Sequence, residues 1–592
     1  SEAMGAYDAA LAQRPGFFEG EFNRANLLME LGRLDEALAG YDRALAGRTD
    51  VPAAWNNRGA VLRQLRRLEA ALASHDRALA LAPGHVNALI NRGMVLNEMG
   101  RAKEAEAAAD AALALQPDAA EAMHLKATIA LEAGRIAEAQ DRFARLREAA
   151  PHQPAALNGV ARAAALACDW KTAEEIAPGL LEAACHGTAL IQPMVLMGYS
   201  DDPALLRRAA ETAIARTVPP HAPLEKVRHS HDRIRLAYLS ADFHNHPTAA
   251  LTAELFESHD RSRFTVIAIS HGPDDGSPMR ARLVKAFDEF HDVRGKSDRE
   301  VAGMMRALEV DIAIDFSGHT MNGRPGILSW RPATVQASWL VYPGTTGAPF
   351  IDAILADRIV LPHDQQPFFS ERIVHLPDCY QVNDSTRAIA STPARAQAGL
   401  PQAGFVFCCF NAHWKLTTQM FDIWMRLLAQ LPGSVLWLMD GPGAENLRAA
   451  AAASGIDPAR LVFAPILPTD EHLARHRLAD LFLDTLPYNA HTTGSDALWA
   501  GLPVLTCKGR SFAGRVGASL LDAVGLPEMV TESLEDYEAL ALKLARDGAL
   551  LKAIHQRLKD NLQSAPLFDT ARFRRGLEAT LTGLLQQPSA WR

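Results

Sequence analysis

A strict 34-residue period in the first third of the chain constrains the fold more than any other feature of the sequence. One series of small residues follows this period, namely Ala25, Gly59, Gly93 and Ala127. A second series consists of alanines, namely Ala37, Ala71, Ala105 and Ala139. A repeat of this length is typical of two antiparallel helices whose backbones approach closely at small residues. Each pair buries its apolar side only against the next pair, so the units are expected to stack into a helical array.

Turn residues mark the same period. The first helix of three units is expected to end at a glycine, namely Gly32, Gly100 and Gly134, and Arg66 takes this place in a fourth unit. Successive units are closed by the prolines Pro83, Pro117 and Pro151. Four units in phase identify tetratricopeptide repeats, which we place at residues 1–155. Tyr7 and Ala10 keep the same register, so the chain is expected to begin within the second helix of an earlier unit.

The array is predicted to fade into the next region. Ala161 and Ala173 keep the register of a degraded repeat, and residues 156–228 are predicted to contain this repeat, a helical transition and a linker rich in proline and histidine. Several first helices carry asparagines, namely Asn56, Asn57, Asn91 and Asn158. These side chains permit two interpretations. They form a ladder whose amides bind a peptide backbone, or they are polar positions that face solvent.

Beyond the linker, short apolar strands alternate with helices, which predicts parallel sheets covered on both faces. The first series of predicted strands covers residues 234–239, 264–269, 311–316, 335–341 and 353–360. The second series covers residues 405–410, 435–439, 461–463, 481–483 and 504–505. We therefore predict two doubly wound lobes, at 229–390 and 391–592, with a ligand cleft between the carboxyl edges of their sheets. Neither lobe carries GxGxxG after its first strand, and no Walker A loop is present, which disfavours dehydrogenases and P-loop enzymes.

Length and composition narrow the functional class. A chain of 592 residues is too long for one hydrophobic core. Its formal net charge of -9 argues against a nucleic-acid partner, which favours a basic surface. Six cysteines without a CxxC pair or zinc spacing favour a reduced, cytoplasmic setting. No apolar run is long enough to span a bilayer and no signal peptide is recognisable, so we expect no membrane partner.

The stretch 484–501 predicts chemistry most clearly. A short apolar strand precedes it, and a helix is predicted to begin near Thr492 at the carboxyl edge of the sheet. Free backbone N–H groups and the positive end of the helix dipole make such an edge an anion site. Thr492 and Thr493 add hydroxyl donors. Taken alone, this stretch leaves one alternative open, an ordinary helix capped by a threonine.

Four further loops follow strands at the expected cleft. They are 242–248 with His246 and Pro247, 317–320 with His319, 342–347 with Gly344, and 411–415 with Asn411 and Lys415. Imidazoles donate or accept protons near neutral pH, glycine allows a ligand close to the backbone, and a lysine binds a diphosphate as a point charge. The alternative for Lys415 is a solvated surface lysine. No DxD pair follows a strand in these loops, so the predicted ligand is a nucleotide whose diphosphate leaves without a metal ion.

The motifs HNHPT, YPGTTG, FNAHWK and NAHTTGSDALWAGLPV follow the repeats in this order, and together they resemble the O-GlcNAc transferase family. The resemblance covers nearly the whole chain. It implies an α/β fold with an N-terminal α-solenoid, that is, a tetratricopeptide superhelix followed by a GT-B glycosyltransferase of two Rossmann-like lobes. It also implies metal-independent, inverting transfer of N-acetylglucosamine from UDP-GlcNAc to Ser or Thr hydroxyls of a protein, with UDP as product and no cofactor.

Residue roles come with the resemblance. Lys415 matches the diphosphate-binding lysine, and His246 matches a histidine once favoured as the general base. The resemblance implies donor-binding roles for His472, Arg475, His491, Thr492, Thr493 and Asp496. Four residues of the strand-end loops are also predicted to bind the donor, namely Asn411, Pro247, His319 and Gly344. No metal ligand is expected. Thr492 and Thr493 match the phosphate-binding pair, Asp496 the ribose ligand, and His472 with Arg475 the residues that flank uracil. His491 is expected beside the sugar and the diphosphate.

Two aspects of the implied mechanism stay open. A free histidine with a pKa of about 6.5 is poorly matched to a serine hydroxyl, so a water relay or the phosphate itself is an alternative base, and His246 then positions substrate. The resemblance also implies a protein or peptide acceptor along the repeat groove, and it leaves room for a homodimer.

The sequence departs from animal members of the family at several places. Ala412 replaces a glutamine, Thr469 replaces a lysine that contacts the ribose, and His319 replaces a tyrosine. A long insert between the lobes is absent. Three alternatives follow. The donor is another nucleotide sugar, such as the GDP-fucose of the plant SPINDLY relatives, the acceptor is not a protein, or the chain is a repeat scaffold with an inactive transferase body.

Overall fold

The computed structural model describes residues 2–150, 154–225 and 231–586. Its residues divide into two compact units. The first unit comprises residues 1–163, 219–221 and 293–304, and the second comprises 164–218, 222–292 and 305–592. Both predicted lobes lie almost entirely in the second unit.

The repeat region is a succession of antiparallel helix pairs. Its helices are α1 (Glu2–Gln13), α2 (Phe18–Glu30), α3 (Leu34–Gly47), α4 (Pro52–Gln64), α5 (Leu68–Leu81), α6 (Val86–Glu98), α7 (Ala102–Leu115), α8 (Ala120–Glu132) and α9 (Ile136–Ala149). The helices pack closely at the small residues, as predicted. A Cβ added to Gly59, for example, would lie 2.6 Å from the ring of His75. The predicted helix ends are also confirmed, and Arg66 adopts a φ of 60° at the place that glycines occupy in the other units.

The degraded repeat keeps the same period. Cys168, 34 residues after Gly134, has a φ of 51°, and it separates α10 (Pro154–Ala167) from α11 (Trp170–His186). Two more helices follow, α12 (Pro193–Leu196) and α13 (Pro203–Thr217). We call residues 164–218 the transition segment. Pro151, which the sequence predicted to close a unit, lies outside the described residues.

The asparagines form a chain of hydrogen bonds with one another. Asn91 donates to Asn56 at 3.0 Å, Asn56 to Asn57 at 3.4 Å, and Asn57 to Asn26 at 3.0 Å. The hydroxyl of Tyr41 also donates to Asn26. A ladder of side-chain amides therefore exists in the first unit, and several of its donors and acceptors are already paired within it.

Each lobe contains one parallel sheet. The first is built from β1 (Ile234–Ser240), β2 (Phe264–Ser270), β3 (Glu289–Asp292), β4 (Ile312–Asp315), β5 (Val335–Trp339), β6 (Ala353–Ala356) and β7 (Arg372–His375). The second is built from β8 (Val406–Cys409), β9 (Val435–Met439), β10 (Leu461–Ala464), β11 (Leu481–Leu483), β12 (Val504–Cys507) and β13 (Val530–Thr531). The strand orders are β3-β2-β1-β4-β5-β6-β7 and β10-β9-β8-β11-β12-β13, so the same Rossmann-like order occurs twice.

Helices cover both faces of these sheets. In the first lobe they are α14 (Pro247–Ser258), α15 (Pro278–Ala286) and α17 (Gly326–Ser329), whereas most of α16 (Asp298–Ala307) belongs to the first unit. In the second lobe they are α18 (Thr418–Gln430), α19 (Ala444–Ala453), α20 (Thr469–Arg475), α21 (Thr492–Trp499), α22 (Val516–Ala523), α23 (Leu534–Arg546) and α24 (Gly548–Asn561). The last helix, α25 (Thr570–Gln586), packs against the first lobe. The central strands are rich in Val, Ile and Leu and buried on both faces, as parallel sheets require.

The predicted strands are present, and three additional ones were not predicted. These are β3, β7 and β13, and all three lie at the edge of a sheet. Each is short, and two of them, β3 and β7, contain charged residues or histidine because one side of an edge strand has no neighbouring strand. A pattern search for continuous apolar runs misses such strands.

The last helix returns to the first lobe. Glu578 of α25 accepts a hydrogen bond from Nδ1 of His259 at 2.9 Å, and the hydroxyl of Tyr238 donates to Nε2 of the same imidazole at 2.9 Å. All three groups are buried. The two lobes are thus tied together by a segment that follows both sheets.

Candidate active site

The candidate residues lie on loops at the two topological switch points. In the first lobe the order reverses between β1 and β4, which are followed by the His246 loop and the His319 loop. In the second lobe it reverses between β8 and β11, which are followed by the Lys415 loop and the loop that leads into α21. Ligands of doubly wound sheets bind in the crevice at this point. The fold therefore puts the predicted loops where a ligand is expected.

Lys415 ends a short turn after β8 and is only partly exposed. Its Nζ donates to the backbone oxygen of Asn489 at 2.9 Å and lies 4.2 Å from the centroid of the Tyr488 ring. Burial lowers the pKa of Lys415 to about 8, although the neighbouring Asp484 carboxylate opposes this shift. An ammonium group has three N–H donors, and a bound anion can accept the ones that Asn489 leaves over.

Asp484 organises the loop beneath Lys415. Its buried carboxylate accepts from the backbone N–H of Thr485 at 2.7 Å, from the N–H of Ala490, and from the hydroxyl of Thr506 at 2.7 Å. Burial raises the pKa of Asp484 to about 6. One carboxylate therefore fixes both ends of the loop that precedes α21. Sequence reasoning did not select it, although an aspartate directly after a buried apolar strand was the available signal.

The start of α21 joins the loop after β8. The Thr493 hydroxyl donates to Asn411 Oδ1 at 2.5 Å, and Asn411 Nδ2 donates to the Thr485 hydroxyl at 2.8 Å. Thr492 is the first residue of the helix and half-buried, so the predicted helix start is confirmed. The N-terminus of α21, with its free N–H groups and the positive end of the helix dipole, therefore lies next to the Asn411 loop.

His491 precedes α21 and is held between two groups. Its ring stacks on Tyr488 with centroids 4.6 Å apart, and Nε2 donates to the backbone oxygen of Ala513 at 3.3 Å. Burial and the nearby Lys415 ammonium hold the pKa of His491 well below its usual range. The ring is therefore neutral, with a proton on Nε2 and a free electron pair on Nδ1.

Asp496, one turn into α21, forms an ion pair with Arg387 from the segment between the lobes. Arg387 Nε also donates to the backbone oxygen of Asp384 at 3.1 Å, which fixes the guanidinium. Burial raises the pKa of Asp496 and Arg387 opposes this shift. Sequence reasoning missed Arg387, because 109 residues separate it from its partner.

His472 and Arg475 form a pair on α20. Arg475 is buried, its guanidinium lies 4.7 Å from the centroid of the Phe410 ring, and Nη1 donates to the backbone oxygen of Pro465. Its Nη2 donates to Nδ1 of His472, and burial lowers the pKa of His472 to about 2. Phe410 follows β8 directly, so this pair lies next to the Asn411 loop.

His246 caps the first helix of its lobe. Its Nδ1 accepts from the backbone N–H of Thr248 at 3.2 Å and lies 3.6 Å from the Asp242 carboxylate, and Pro247 occupies the first position of α14. Burial lowers the pKa of His246. Because Nδ1 accepts a hydrogen bond, the neutral ring carries its proton on Nε2, which makes Nε2 a donor.

His319 and Gly344 belong to a network around Glu371. His319 Nε2 donates to the backbone oxygen of Thr346 at 2.7 Å, and the N–H of Thr346 donates to Glu371 at 2.6 Å. The Thr345 hydroxyl donates to the same buried carboxylate at 2.6 Å. Gly344 lies on this loop, where an added Cβ would lie 2.7 Å from Met197 Cε. Glu371 was not selected from the sequence because it precedes β7, one of the unpredicted edge strands.

A further buried carboxylate, which was not predicted from the sequence as a site residue, belongs to the last residue of β4. Asp315 is buried, accepts from the backbone N–H of Ser317 at 2.9 Å, and has its pKa raised to about 6 by burial.

The structure brings the predicted residues together in groups. One group contains Asn411, Lys415, His491, Thr492, Thr493 and Asp496 around the start of α21. His472 and Arg475 form a second group beside it, and His319 with Gly344 forms a third. Among the described residues, no hydrogen bond links His246 or Pro247 to the other groups. Across residues 2–150, 154–225 and 231–586, no three His, Cys, Asp or Glu side chains are arranged to hold a metal ion.

Comparison with known families decides the relationship. A model described as glycosyl transferase family 41 matches residues 213–392 and 384–577, which is more than half of the chain. The chain belongs to glycosyl transferase family 41. Tetratricopeptide repeat models match residues 50–118 and residues 1–52 and 124–184, which confirms the repeat array.

Named relatives match more than half of this family-41 chain. A protein of Arabidopsis thaliana named "Probable UDP-N-acetylglucosamine--peptide N-acetylglucosaminyltransferase SEC" is 35% identical over 410 residues, which cover 66% of this chain and 42% of the relative. A Caenorhabditis elegans UDP-N-acetylglucosamine--peptide N-acetylglucosaminyltransferase is 27% identical over 468 residues, covering 59% of this chain and 40% of the relative. The chain thus spans less than half the length of these relatives.

A solved structure extends the likeness to the repeats. A mutant of Thermobaculum terrenum O-GlcNAc transferase is 26% identical, with a TM-score of 0.68, and the match covers 91% of this chain and 98% of that one. The expected architecture of repeats followed by two Rossmann-like lobes is thereby confirmed. No helix among the described residues has the length and apolar character needed to cross a bilayer.

Proposed function

We propose that this family-41 chain transfers N-acetylglucosamine from UDP-GlcNAc to Ser or Thr hydroxyls of protein acceptors and releases UDP. The observation that carries the proposal is Lys415, whose ammonium binds the backbone oxygen of Asn489 just before α21 and keeps further N–H donors for an anion. The names of the Arabidopsis and Caenorhabditis relatives support this donor and a peptide acceptor.

The groups around α21 provide sites for the parts of the nucleotide. Lys415, Thr492, Thr493 and the helix N-terminus are proposed to bind the diphosphate, with Asn411 holding Thr493 in place. Asp496 is proposed to accept from the ribose hydroxyls through the carboxylate oxygen that Arg387 does not occupy. His472 and Arg475 are proposed to flank the uracil. No cofactor and no metal ion enter this proposal, because the ammonium and the helix dipole offset the charge of the leaving diphosphate.

The reaction is proposed to invert the anomeric carbon. The acceptor oxygen forms its bond on one face while the bond to the diphosphate breaks on the other, and UDP leaves with that electron pair. The hydroxyl proton is proposed to pass to a phosphate oxygen of the donor, directly or through a water molecule, and to leave with UDP. We propose that His246 contributes its Nε2–H as a donor that positions substrate, because Nδ1 is occupied by the N–H of Thr248. His319, Gly344 and Pro247 are proposed to line the sugar side of the cleft.

Replacement of Lys415 tests the proposal. Lys415→Ala and Lys415→Met are expected to abolish turnover of UDP-GlcNAc while the protein remains folded, and the methionine separates loss of charge from loss of bulk. Undiminished transfer in either variant would refute the phosphate role. Calorimetry with UDP and GDP tests the donor, and tighter binding of GDP would replace UDP-GlcNAc by a guanosine nucleotide sugar.

The acceptor needs a separate experiment. Mass spectrometry of proteins co-expressed with wild type and with Lys415→Ala identifies modifications that depend on the enzyme. Modified Ser or Thr residues only with wild type support a protein acceptor. We also propose a cytoplasmic location and a homodimer, which cell fractionation and light scattering measure.

A further inference from the structure

The transition segment contacts loops of the candidate site in both lobes. Trp170 Nε1 donates to the backbone oxygen of Leu416 at 3.0 Å, directly after Lys415. Met197 packs against Gly344 in the other lobe. Asp201 binds a third loop, residues 508–515, which follows β12. One segment that precedes both sheets therefore supports three loops that lie at the cleft.

Asp201 makes the most specific of these contacts. Its carboxylate accepts hydrogen bonds from the backbone N–H groups of Arg510 and Ser511, the second at 2.7 Å. Gly509 N donates to Gly514 O at 2.7 Å and closes the loop around the carboxylate. A Cβ added to Gly509 would lie 2.8 Å from Asp201 Oδ2. The glycines are therefore needed for the close approach of this carboxylate.

The same loop holds the anion site from its other end. The backbone oxygen of Ala513 accepts from the N–H of Asn489 at 3.0 Å and from Nε2 of His491 at 3.3 Å. The backbone oxygen of Asn489 in turn accepts from Lys415 Nζ at 2.9 Å. Hydrogen bonds joined by short stretches of backbone thus lead from Asp201, through the loop, to the lysine ammonium.

We propose that Asp201 is a positioning residue for the nucleoside diphosphate of the donor. By holding residues 509–514, it fixes the backbone of Asn489 and the ring of His491, and through Asn489 it aims the Lys415 ammonium. This inference rests on the proposed function, because it assigns Asp201 to the same donor site. Donor affinity then depends on a segment that lies outside both sheets.

Asp201→Ala, compared with Asp202→Ala, tests this role in the full chain. Asp202 is the matched control because its carboxylate caps α13 by accepting from the N–H of Ala204 at 2.9 Å, whereas Asp201 binds the loop. Asp201→Asn keeps one acceptor oxygen and is expected to lie between Asp201→Ala and wild type. The measurements are calorimetric binding of UDP and hydrogen exchange of the Asn489 amide, which reports the bond to Ala513 without any ligand.

Asp201→Ala is expected to weaken UDP binding by about tenfold, the lower end of what loss of a supporting group costs a bound ligand, and to accelerate Asn489 exchange. Asp202→Ala is expected to lower Tm but to keep both wild-type values. Equal UDP affinity in Asp201→Ala and wild type overturns the inference, and so does unchanged Asn489 exchange. If wild type itself binds no UDP, the proposed function is wrong and the donor role of Asp201 fails with it.

Discussion

The two sheets share one strand order, yet the loops at their switch points carry different chemistry. In the second lobe the loops hold charged groups in pairs, Lys415 near Asp484 and Asp496 with Arg387. In the first lobe they hold imidazoles, His246 and His319, whose pKa values are lowered by burial. The same topology therefore presents two different sides to the cleft. The charged side has a lysine ammonium suited to a diphosphate, and the side that we call neutral has uncharged imidazoles suited to a sugar and a hydroxyl. Fold alone does not set the chemistry of a switch point.

The largest expected effect comes from removing the charge beneath Lys415. The Asp484 carboxylate accepts four hydrogen bonds, from Thr485, Ala490, Thr506 and, at 3.4 Å, Asn411. In Asp484→Asn, one acceptor oxygen is replaced by an NH2 group, which cannot accept from these donors. We expect a loss of roughly 2–3 kcal/mol in donor binding, from the usual strength of hydrogen bonds to charged groups. This corresponds to roughly 30- to 150-fold in the UDP Kd, measured by calorimetry.

A control variant separates the loss of the Asp484 charge from the loss of one of its hydrogen bonds. Thr506→Val removes one donor to Asp484 and leaves the carboxylate and its two backbone partners. It is expected to weaken UDP binding far less than Asp484→Asn. If both variants bind UDP equally well, the carboxylate does not organise the anion site.

The pH dependence of donor binding tests the charged side directly. The pKa of Lys415 is lowered to about 8 in the folded protein, so the ammonium is present below pH 8 and is lost as the pH rises past this value. UDP affinity is therefore expected to change little up to about pH 7, to be about half of its maximum near pH 8, and to fall by up to about tenfold per pH unit above that. Lys415→Arg, whose guanidinium stays charged, should abolish this fall even if its affinity is lower. A wild-type affinity that is flat to pH 9.5 contradicts the lowered pKa.

A lesion on the neutral side is expected to change turnover and spare UDP binding. Glu371→Gln replaces one of the two carboxylate oxygens that accept hydrogen bonds from Thr345 and Thr346. Thr346 is then held less firmly, and so is His319, which donates to the backbone oxygen of Thr346. We expect kcat to fall by roughly tenfold, equivalent to one hydrogen bond to a charged group. The UDP Kd should stay within about twofold of wild type, since its proposed ligands lie on the other lobe. If Glu371→Gln weakened UDP binding as much as Asp484→Asn does, the two sides of the cleft would not have the separate roles proposed here.

The sequence allowed the repeats, both central sheets and the site loops to be predicted, because each is a contiguous pattern. The 34-residue period predicts where the repeat helices end, including the end at Arg66, where no glycine is present. Each site motif follows its strand directly. The supporting carboxylates and Arg387 are a different matter. Asp201 meets Ser511 across 310 residues, Arg387 meets Asp496 across 109, and Glu371 meets Thr345 across 26. Such pairs depend on how elements pack, and no local pattern marks them.

The smallest expected effect separates two roles of His246. His246 caps α14 by accepting a hydrogen bond at Nδ1. The side-chain oxygen of asparagine can accept the same bond, and asparagine is among the best capping residues. His246→Ala should lower the free energy of unfolding by about 1 kcal/mol, whereas His246→Asn should stay within a few tenths of a kcal/mol of wild type. Urea unfolding measures both.

Activity then shows whether the imidazole does more than cap the helix. If Nε2–H positions substrate, both variants lose turnover although only the alanine loses stability, and their UDP affinities stay at the wild-type value. If His246→Asn restores turnover together with stability, the imidazole is a cap and the neutral side of the cleft depends on the Glu371 network alone. That outcome would place all the chemistry of the first lobe after β4 and β5, away from the loop that follows β1.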